Sequence, residues 1–259
     1  MAKLFVHGAS RRASDLVQCH KDEVDRYYNE KAWLYMAKRF IEKYGTKLIV
    51  PIYMIIYMLA FQFLENRVNY RMHIIHSSLD RMIPFCEYFI IPYVLWFLYI
   101  ACTVLWFMFK NDNETEYLQL IANLGIGMTV FIIISWIYPN GHFLRPMVFP
   151  RDNVFTDMVR FLYQIDTPTN ILPSIHVYNS VAASIAIVRC QKLKSKPMIV
   201  GGSVILSALI IASTVFLKQH TIVDVAAAFI LNLFVYLIVY LPADSRIWLR
   251  HRQYPRIEN

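Results

Sequence analysis

Residues 197–243 read PMIVGGSVILSALIIASTVFLKQHTIVDVAAAFILNLFVYLIVYLPA. Two long uncharged runs, 197–217 and 225–243, flank a short turn that contains Lys218, His220 and Asp224. Each run approaches the roughly 20 apolar residues that a helix needs to cross the hydrocarbon core of a bilayer. We therefore predict two membrane-spanning helices, joined by a turn that places three ionisable side chains at one membrane surface.

The remainder of the chain has the same apolar character. Of its 259 residues, 57% are hydrophobic and 17% are charged, whereas about 25% of the residues of a soluble domain are charged. The other uncharged runs are 48–64, 88–109 and 117–138, together with 171–188 when its histidine, His176, is neutral. Six such runs exclude a soluble domain. They predict an all-α, polytopic membrane protein with a bundle of six transmembrane helices.

The distribution of cationic side chains predicts the orientation of this bundle. With six spans and an inner N-terminus, 19 of the 26 Lys and Arg residues lie on the cytoplasmic side. An excess of Lys and Arg is typical of cytoplasmic segments. We therefore expect both termini in the cytoplasm, and we interpret the net charge of +8 as a signal of topology rather than of nucleic-acid binding.

The domain organisation follows from the first and last spans. Residues 1–46 are polar and basic, so we expect a cytoplasmic arm rather than a signal peptide. Within the arm, residues 21–44 combine helical periodicity with cations, which is typical of an interfacial helix on the inner leaflet; a partner-binding helix is the alternative. Residues 47–243 form the membrane domain, and residues 244–259 form a basic cytoplasmic tail.

The sequence predicts neither a cofactor nor a metal site. His73 and His76 are three residues apart and could share a helix face, but no clear third ligand lies nearby in the sequence. We interpret them as part of a polar outer surface. The four cysteines show no C-x-x-C spacing, so a zinc site or a disulfide is not expected.

Three polar clusters lie at the predicted outer ends of the spans. They are residues 138–146 (YPNGHFLRP), residues 173–176 (PSIH) and residues 213–224 (STVFLKQHTIVD). Ionisable residues at membrane depth are costly and are functional candidates by default. The topology brings all three clusters to the same face of the membrane, which predicts an outer-face active site.

The residue types in these clusters fit phosphate-ester chemistry. If the last helix begins near His220, Asp224 lies one turn later on the same face. A carboxylate on one imidazole nitrogen fixes the tautomer and leaves the other nitrogen free to attack. His176, on another span, could protonate a leaving group. The side chains with donors suited to phosphate oxygens are Arg145, Ser174, Ser213 and Lys218.

The order P-S-x-H, then S-x6-H-x3-D, resembles the type-2 phosphatidic acid phosphatase superfamily, which includes lipid phosphatases and sphingolipid synthases. The resemblance covers roughly residues 80–242. It implies that His220 is a nucleophile that forms a phosphohistidine and that Asp224 orients it. It also implies that His176 is the acid and then the base, and that Arg145, Ser174 and Ser213 hold the phosphate.

Three positions depart from the usual motifs of the superfamily. Tyr138 stands where a lysine is usual, Thr214 where an arginine is usual, and Ile175 where a glycine is common. Two cations are therefore absent from the phosphate pocket, and Lys218 is a candidate to replace one. A less cationic pocket favours a singly charged phosphodiester. Thr214 and Ile175 look more like the sphingolipid-synthase branch.

Three functions are compatible with these residues. The first is an integral membrane phosphatase in which water resolves the phosphohistidine. The second is a phosphotransferase in which a ceramide- or diacylglycerol-like alcohol resolves it. The third is a non-catalytic protein that binds phospholipid. All three predict a membrane location and a phospholipid or lipid-phosphate ligand.

Overall fold

The computed structural model describes Lys31, Tyr35, Lys38 and residues 45–67 and 72–242. Its α-helices are α1 (Gly45–Glu65), α2 (Ile90–Phe109), α3 (Glu114–Ile137), α4 (Val154–Ile165), α5 (Ile175–Arg189), α6 (Pro197–Phe216) and α7 (Ile222–Val239). Two short strands, β1 (His73–Ile74) and β2 (Asn140–Gly141), pair in parallel, and two 3-10 turns cover Ser78–Arg81 and Glu87–Phe89.

Five helices within the described residues are long and apolar enough to cross a membrane, and they identify an integral membrane protein. They are α1, α2 with its preceding 3-10 turn, α3, α6 and α7. The prediction of six full-length spans is not confirmed. The remaining run, 171–188, forms α5, whose 15 residues extend only about 22 Å at 1.5 Å per residue, less than the roughly 30 Å of the hydrocarbon core.

The short helix α5 lies at the centre of the bundle. It packs against α2, α3, α6 and α7. Its side chains at Ala182, Ala183 and Ala186 are buried, and small residues of this kind let neighbouring helices approach closely. The hydroxyl of Ser174 caps its first turn by accepting from the N–H of Val177 at 3.4 Å. The central position of α5 fixes the depth of the residues at its N-terminus.

The helix α4 is a connecting helix of 12 residues rather than a span. Asn153 caps it by accepting from the N–H of Thr156, and the amide of Asn153 donates to Glu87 at the start of α2. Arg151 adds an ion pair to the same carboxylate at 2.9 Å. The apolar side chains at 154, 158, 161 and 165 recur at helical spacing and are solvent-accessible, with Phe161 62% exposed.

The chain divides into two compact units, residues 1–51 and residues 52–259. In the first unit, the predicted helix over 21–44 lies outside the described residues except for Lys31, Tyr35 and Lys38, which are helical. In the second unit, the predicted tail at 244–259 also lies outside the described residues. The whole of α2 to α7 belongs to this second unit.

Candidate active site

A cavity of about 810 Å³ lies where α2, α5 and α7 begin. Its apolar lining comes mainly from α1, α2 and α4 and includes Met58, Phe61, Val94, Phe97, Met158 and Phe161. The polar side chains among its lining residues are Asp157, Asp166, Thr167, Thr169, Asn170, His176, Gln219 and His220. Within the described part of the chain, the lining contains neither lysine nor arginine.

The two predicted catalytic histidines meet at this cavity. His176 is the second residue of α5, and His220 lies in the turn that precedes α7. Their ring centroids are 5.9 Å apart with an interplanar angle of 56°. The Nε2 atom of His176 is buried and has no hydrogen-bond partner among the described residues. One ligand can therefore contact both imidazoles.

Asp224 lies behind His220, as the i,i+4 spacing predicts. Its Oδ2 atom is 3.4 Å from Nδ1 of His220. The carboxylate is held by a capping box, in which Oδ2 accepts from the N–H of Thr221 at 2.8 Å and the Thr221 hydroxyl accepts from the N–H of Asp224 at 3.3 Å. The helix N-terminus favours negative charge here. Asp224 therefore faces Nδ1 of His220, and Nε2 is the nitrogen on the far side of the ring.

The turn before α7 is held by backbone and side-chain bonds. The carbonyl of Thr214 accepts from the N–H groups of Gln219 and His220 at 2.9 and 3.0 Å. Asp80 accepts from the N–H of Ile222 at 2.8 Å. Lys218, whose φ is 53°, lies in the left-handed region, and its ammonium donates to the carbonyls of Asp80 and Ile83.

His176 lies against three aromatic rings of α2. The ring centroids of Tyr93, Trp96 and Phe97 are 4.5, 4.3 and 6.3 Å from its own. Residues three and four apart share one face of a helix, so a single helix supplies all three contacts. We call Tyr93, Trp96 and Phe97 the aromatic box.

The four predicted phosphate-binding residues are near this end of the bundle, but none lines the cavity. Arg145 donates to the carbonyls of Tyr163 and Asp166 at the end of α4 and to Oε1 of Gln219. The hydroxyl of Ser174 caps α5, and that of Ser213 donates to the carbonyl of Ile210 at 2.6 Å. In this conformation each has a protein partner, as Lys218 does, and burial lowers the pKa values of Arg145 and Lys218.

Part of the chain matches a known protein family. Residues 150–248 match the model of the PAP2 superfamily. The resemblance to the type-2 phosphatidic acid phosphatases is confirmed over this segment, which contains His176, His220 and Asp224. Searches of curated proteins and of solved structures found no match. The PAP2 match supports a lipid phosphatase or a related phosphotransferase.

Sequence reasoning missed the bonds that link the surroundings of His176 and His220 from outside the motifs. Asp166 accepts from the hydroxyl of Tyr93 at 2.7 Å and from the amide of Gln219 at 3.0 Å, both at Oδ2. The only sequence signal for Gln219 is its place immediately before His220. Asp166 carries no signal in helical periodicity because it lies just after α4.

His142 is a further supporting residue. Its Nδ1 atom accepts from the N–H of Leu144 at 3.0 Å, so its Nε2 atom carries the proton and donates to the carbonyl of Gln219 at 2.9 Å. Burial lowers the pKa of His142 to about 4, which keeps the ring neutral. The neutral imidazole therefore bridges the residues after α3 to the turn that carries His220.

The two histidines of the β1 region lie apart from the cavity. His73 stacks on Tyr138 with a centroid distance of 4.1 Å, and neither histidine lines the cavity. Among the described residues, no group of three or more His, Cys, Asp or Glu side chains could hold a metal ion.

Proposed function

We propose that this protein is an integral membrane lipid phosphatase that hydrolyses a lipid phosphate ester through a phosphohistidine. The observation that carries the proposal is one cavity with apolar walls from α1, α2 and α4 and two histidines in its lining. A lipid phosphate has the same two parts. Its hydrocarbon chains fit the apolar walls, because burial of apolar surface is favourable. Its phosphate fits between His176 and His220.

In the first step, Nε2 of His220 forms the bond to phosphorus while the ester bond from phosphorus to the lipid oxygen breaks. Asp224 favours a proton on Nδ1, which leaves the lone pair of Nε2 free. His176 gives its proton to the lipid oxygen. In the second step, neutral His176 takes a proton from water, the water oxygen bonds to phosphorus, and inorganic phosphate leaves His220.

Phosphate binding requires a change at Arg145. Arg145 does not line the cavity, so one terminal nitrogen of its guanidinium would have to exchange Oε1 of Gln219 for a phosphate oxygen. The N-terminal ends of α5 and α7 add positive dipole ends on the same side. Ser174, Ser213 and Lys218 remain proposed phosphate ligands, each of which would have to exchange a present partner.

The second candidate is a phosphotransferase, in which a lipid alcohol replaces water in the second step. The absence of lysine and arginine from the described cavity lining favours it, because such a site suits a singly charged phosphodiester better than a dianion. Product analysis separates the two: free phosphate supports the phosphatase, and a new phospholipid supports the phosphotransferase. A protein that forms neither would be a phospholipid-binding protein.

For the arrangement in the membrane, we propose six crossings with both termini in the cytoplasm and the histidines at the outer face. In this arrangement α5 is the fourth of the six crossings in chain order, and the segment between α4 and α5 completes its outer half. The proposed domain layout is an arm at 1–46, a membrane domain at 47–243 and a tail at 244–259.

The decisive experiment replaces the nucleophile. His220→Ala should abolish turnover of a panel of lipid phosphate esters, and its intact mass after quenching without acid should show no phosphate. His176→Ala should accumulate phosphorylated protein, because the base for the second step is absent. The matched control is His73→Ala, which removes an exposed histidine outside the cavity and should retain activity. Near wild-type turnover by His220→Ala would refute the mechanism.

A further inference from the structure

The aromatic box bears directly on the acid form of His176. Burial by itself disfavours an imidazolium. The face of an aromatic ring attracts a cation that lies within about 6 Å of its centroid. Tyr93 and Trp96 lie at 4.5 and 4.3 Å, so both rings are close enough to stabilise a positive charge on His176.

Tyr93 is the residue of the aromatic box whose hydroxyl forms a hydrogen bond with a carboxylate. The hydroxyl donates to Oδ2 of Asp166 at 2.7 Å. A hydrogen bond to a carboxylate is charge-assisted and polarises its donor, which makes the phenol ring more electron-rich. The same oxygen accepts from Gln219, the neighbour of His220. One carboxylate oxygen is thus linked to the surroundings of both histidines.

We propose that Tyr93 and Asp166 are positioning residues for the general acid, with Asp166 holding Tyr93 and Tyr93 holding the imidazolium of His176 against the leaving oxygen. This inference rests on the proposed function. In the acid step, the proton of His176 passes to the lipid oxygen as the ester bond breaks, and the imidazolium becomes a neutral imidazole. Tyr93 and Asp166 exchange no proton in this step.

The dependence on the leaving group separates this role from a purely structural one. A general acid matters most when the leaving group is a poor one, such as a lipid alkoxide, and little for p-nitrophenolate. Tyr93→Phe keeps the ring and removes the hydroxyl. Its kcat should fall about tenfold on dioleoyl phosphatidic acid in mixed micelles and less than about threefold on p-nitrophenyl phosphate.

Two further variants make the test specific. Tyr99→Phe is the matched control, because it removes another buried hydroxyl of α2, one that bonds to Ser203 at 2.7 Å, and it should leave the ratio of the two rates unchanged. Asp166→Asn keeps an acceptor oxygen but removes the charge, and it should change the ratio in the same direction as Tyr93→Phe. The double variant should lose no more than the more impaired single variant, because both act through one contact.

The outcomes distinguish this inference from the proposed function. Three results would overturn the inference and leave the proposed function in place. They are an equal loss of kcat on both esters in Tyr93→Phe, a ratio of the two rates like that of Tyr99→Phe, and additive losses in the double variant. A wild-type protein that hydrolyses neither ester would overturn both. If Tyr93→Phe does not fold, the ratio for Asp166→Asn decides by the same criterion.

Discussion

A methyl group added at Gly127 should destabilise the bundle, whereas one added at Gly125 should not. Both glycines lie in α3. A Cβ at 127 would fall on the ring of Tyr178, a fully buried residue of α5, while a Cβ at 125 would meet nothing within 4 Å. The two substitutions are chemically identical, so the difference between them reports the packing of α3 against α5.

The magnitude follows from three contributions. Replacing glycine by alanine in a helix gains about 1 kcal/mol at either position. At 127 the overpacking costs about 1–3 kcal/mol, and displacing Tyr178 loses its bond to Asn123, at about 1 kcal/mol. Gly127→Ala should therefore lower the free energy of unfolding by about 1–3 kcal/mol, and Gly125→Ala should raise it by about 1 kcal/mol.

The assay is the unfolding temperature in detergent, followed by intrinsic fluorescence, with activity measured in parallel. Tyr178 lies two residues after His176, so Gly127→Ala should also lower kcat. In a double-mutant cycle, Gly127→Ala combined with Tyr178→Ala should be no less stable than Tyr178→Ala alone, because the clash has been removed. A Gly127→Ala protein as stable as Gly125→Ala would refute the packing argument.

Three further predictions concern the metal, the orientation and the pH. Activity should survive EDTA, because phosphohistidine chemistry needs no divalent ion; loss that zinc restores would instead make His73 and His76 ligands. Met147→Cys, with the native cysteines replaced, should react with an impermeant thiol reagent on intact cells, and labelling only after permeabilisation would reverse the orientation. The pKa of His142 in the folded state is about 4, which is below its ordinary value of about 6.5. Between these two pH values the unfolded state binds a proton that the folded state does not, so the free energy of unfolding should fall as the pH drops from about 6.5 to 4. The expected decrease at pH 5 is about 2 kcal/mol. His142→Asn should have a flatter dependence when unfolding temperatures at pH 7 and pH 5 are compared, and an equally steep one would contradict this origin.

The parts of this structure that follow from local patterns could be predicted from the sequence. Five apolar runs form long helices because burial in hydrocarbon requires only length and composition. His220 and Asp224 lie together, as their spacing predicts, although His220 lies in the turn before α7 and the capping box of Thr221 and Asp224 shapes the start of the helix. The run at 171–188 forms a shorter helix because the backbone before Ser174 is fixed by side chains from elsewhere, notably Asn140, which accepts from the N–H groups of Ile171 and Leu172.

The hydrogen bonds that position the site residues could not be predicted from local sequence patterns. Asp80 and Asp166 lie in connections, where neither a period of 3.6 nor a motif constrains them, and their bonds reach Ile222 and Tyr93 across the bundle. The sequence indicated that Lys218 is a cation near the histidines, but not that its ammonium would satisfy two backbone carbonyls, which are obligatory acceptors when buried. Such partners depend on the tertiary fold.

The bonds between Asp80 and the turn before α7 have a consequence for how the site is made. Asp80 precedes Lys218 by 138 residues and Ile222 by 142, so a ribosome adds Asp80 to the chain long before it reaches the residues that Asp80 binds. The bonds of Asp80 to the turn before α7 can therefore form only after Lys218 and Ile222 have been synthesised. A chain that stops before α7 would contain Asp80 and Lys218 but would lack the bond from the N–H of Ile222 to the Asp80 carboxylate. A fragment limited to the PAP2-matching residues, 150–248, would contain His176, His220 and Asp224 and would lack Asp80, whose carboxylate accepts from the N–H of Ile222.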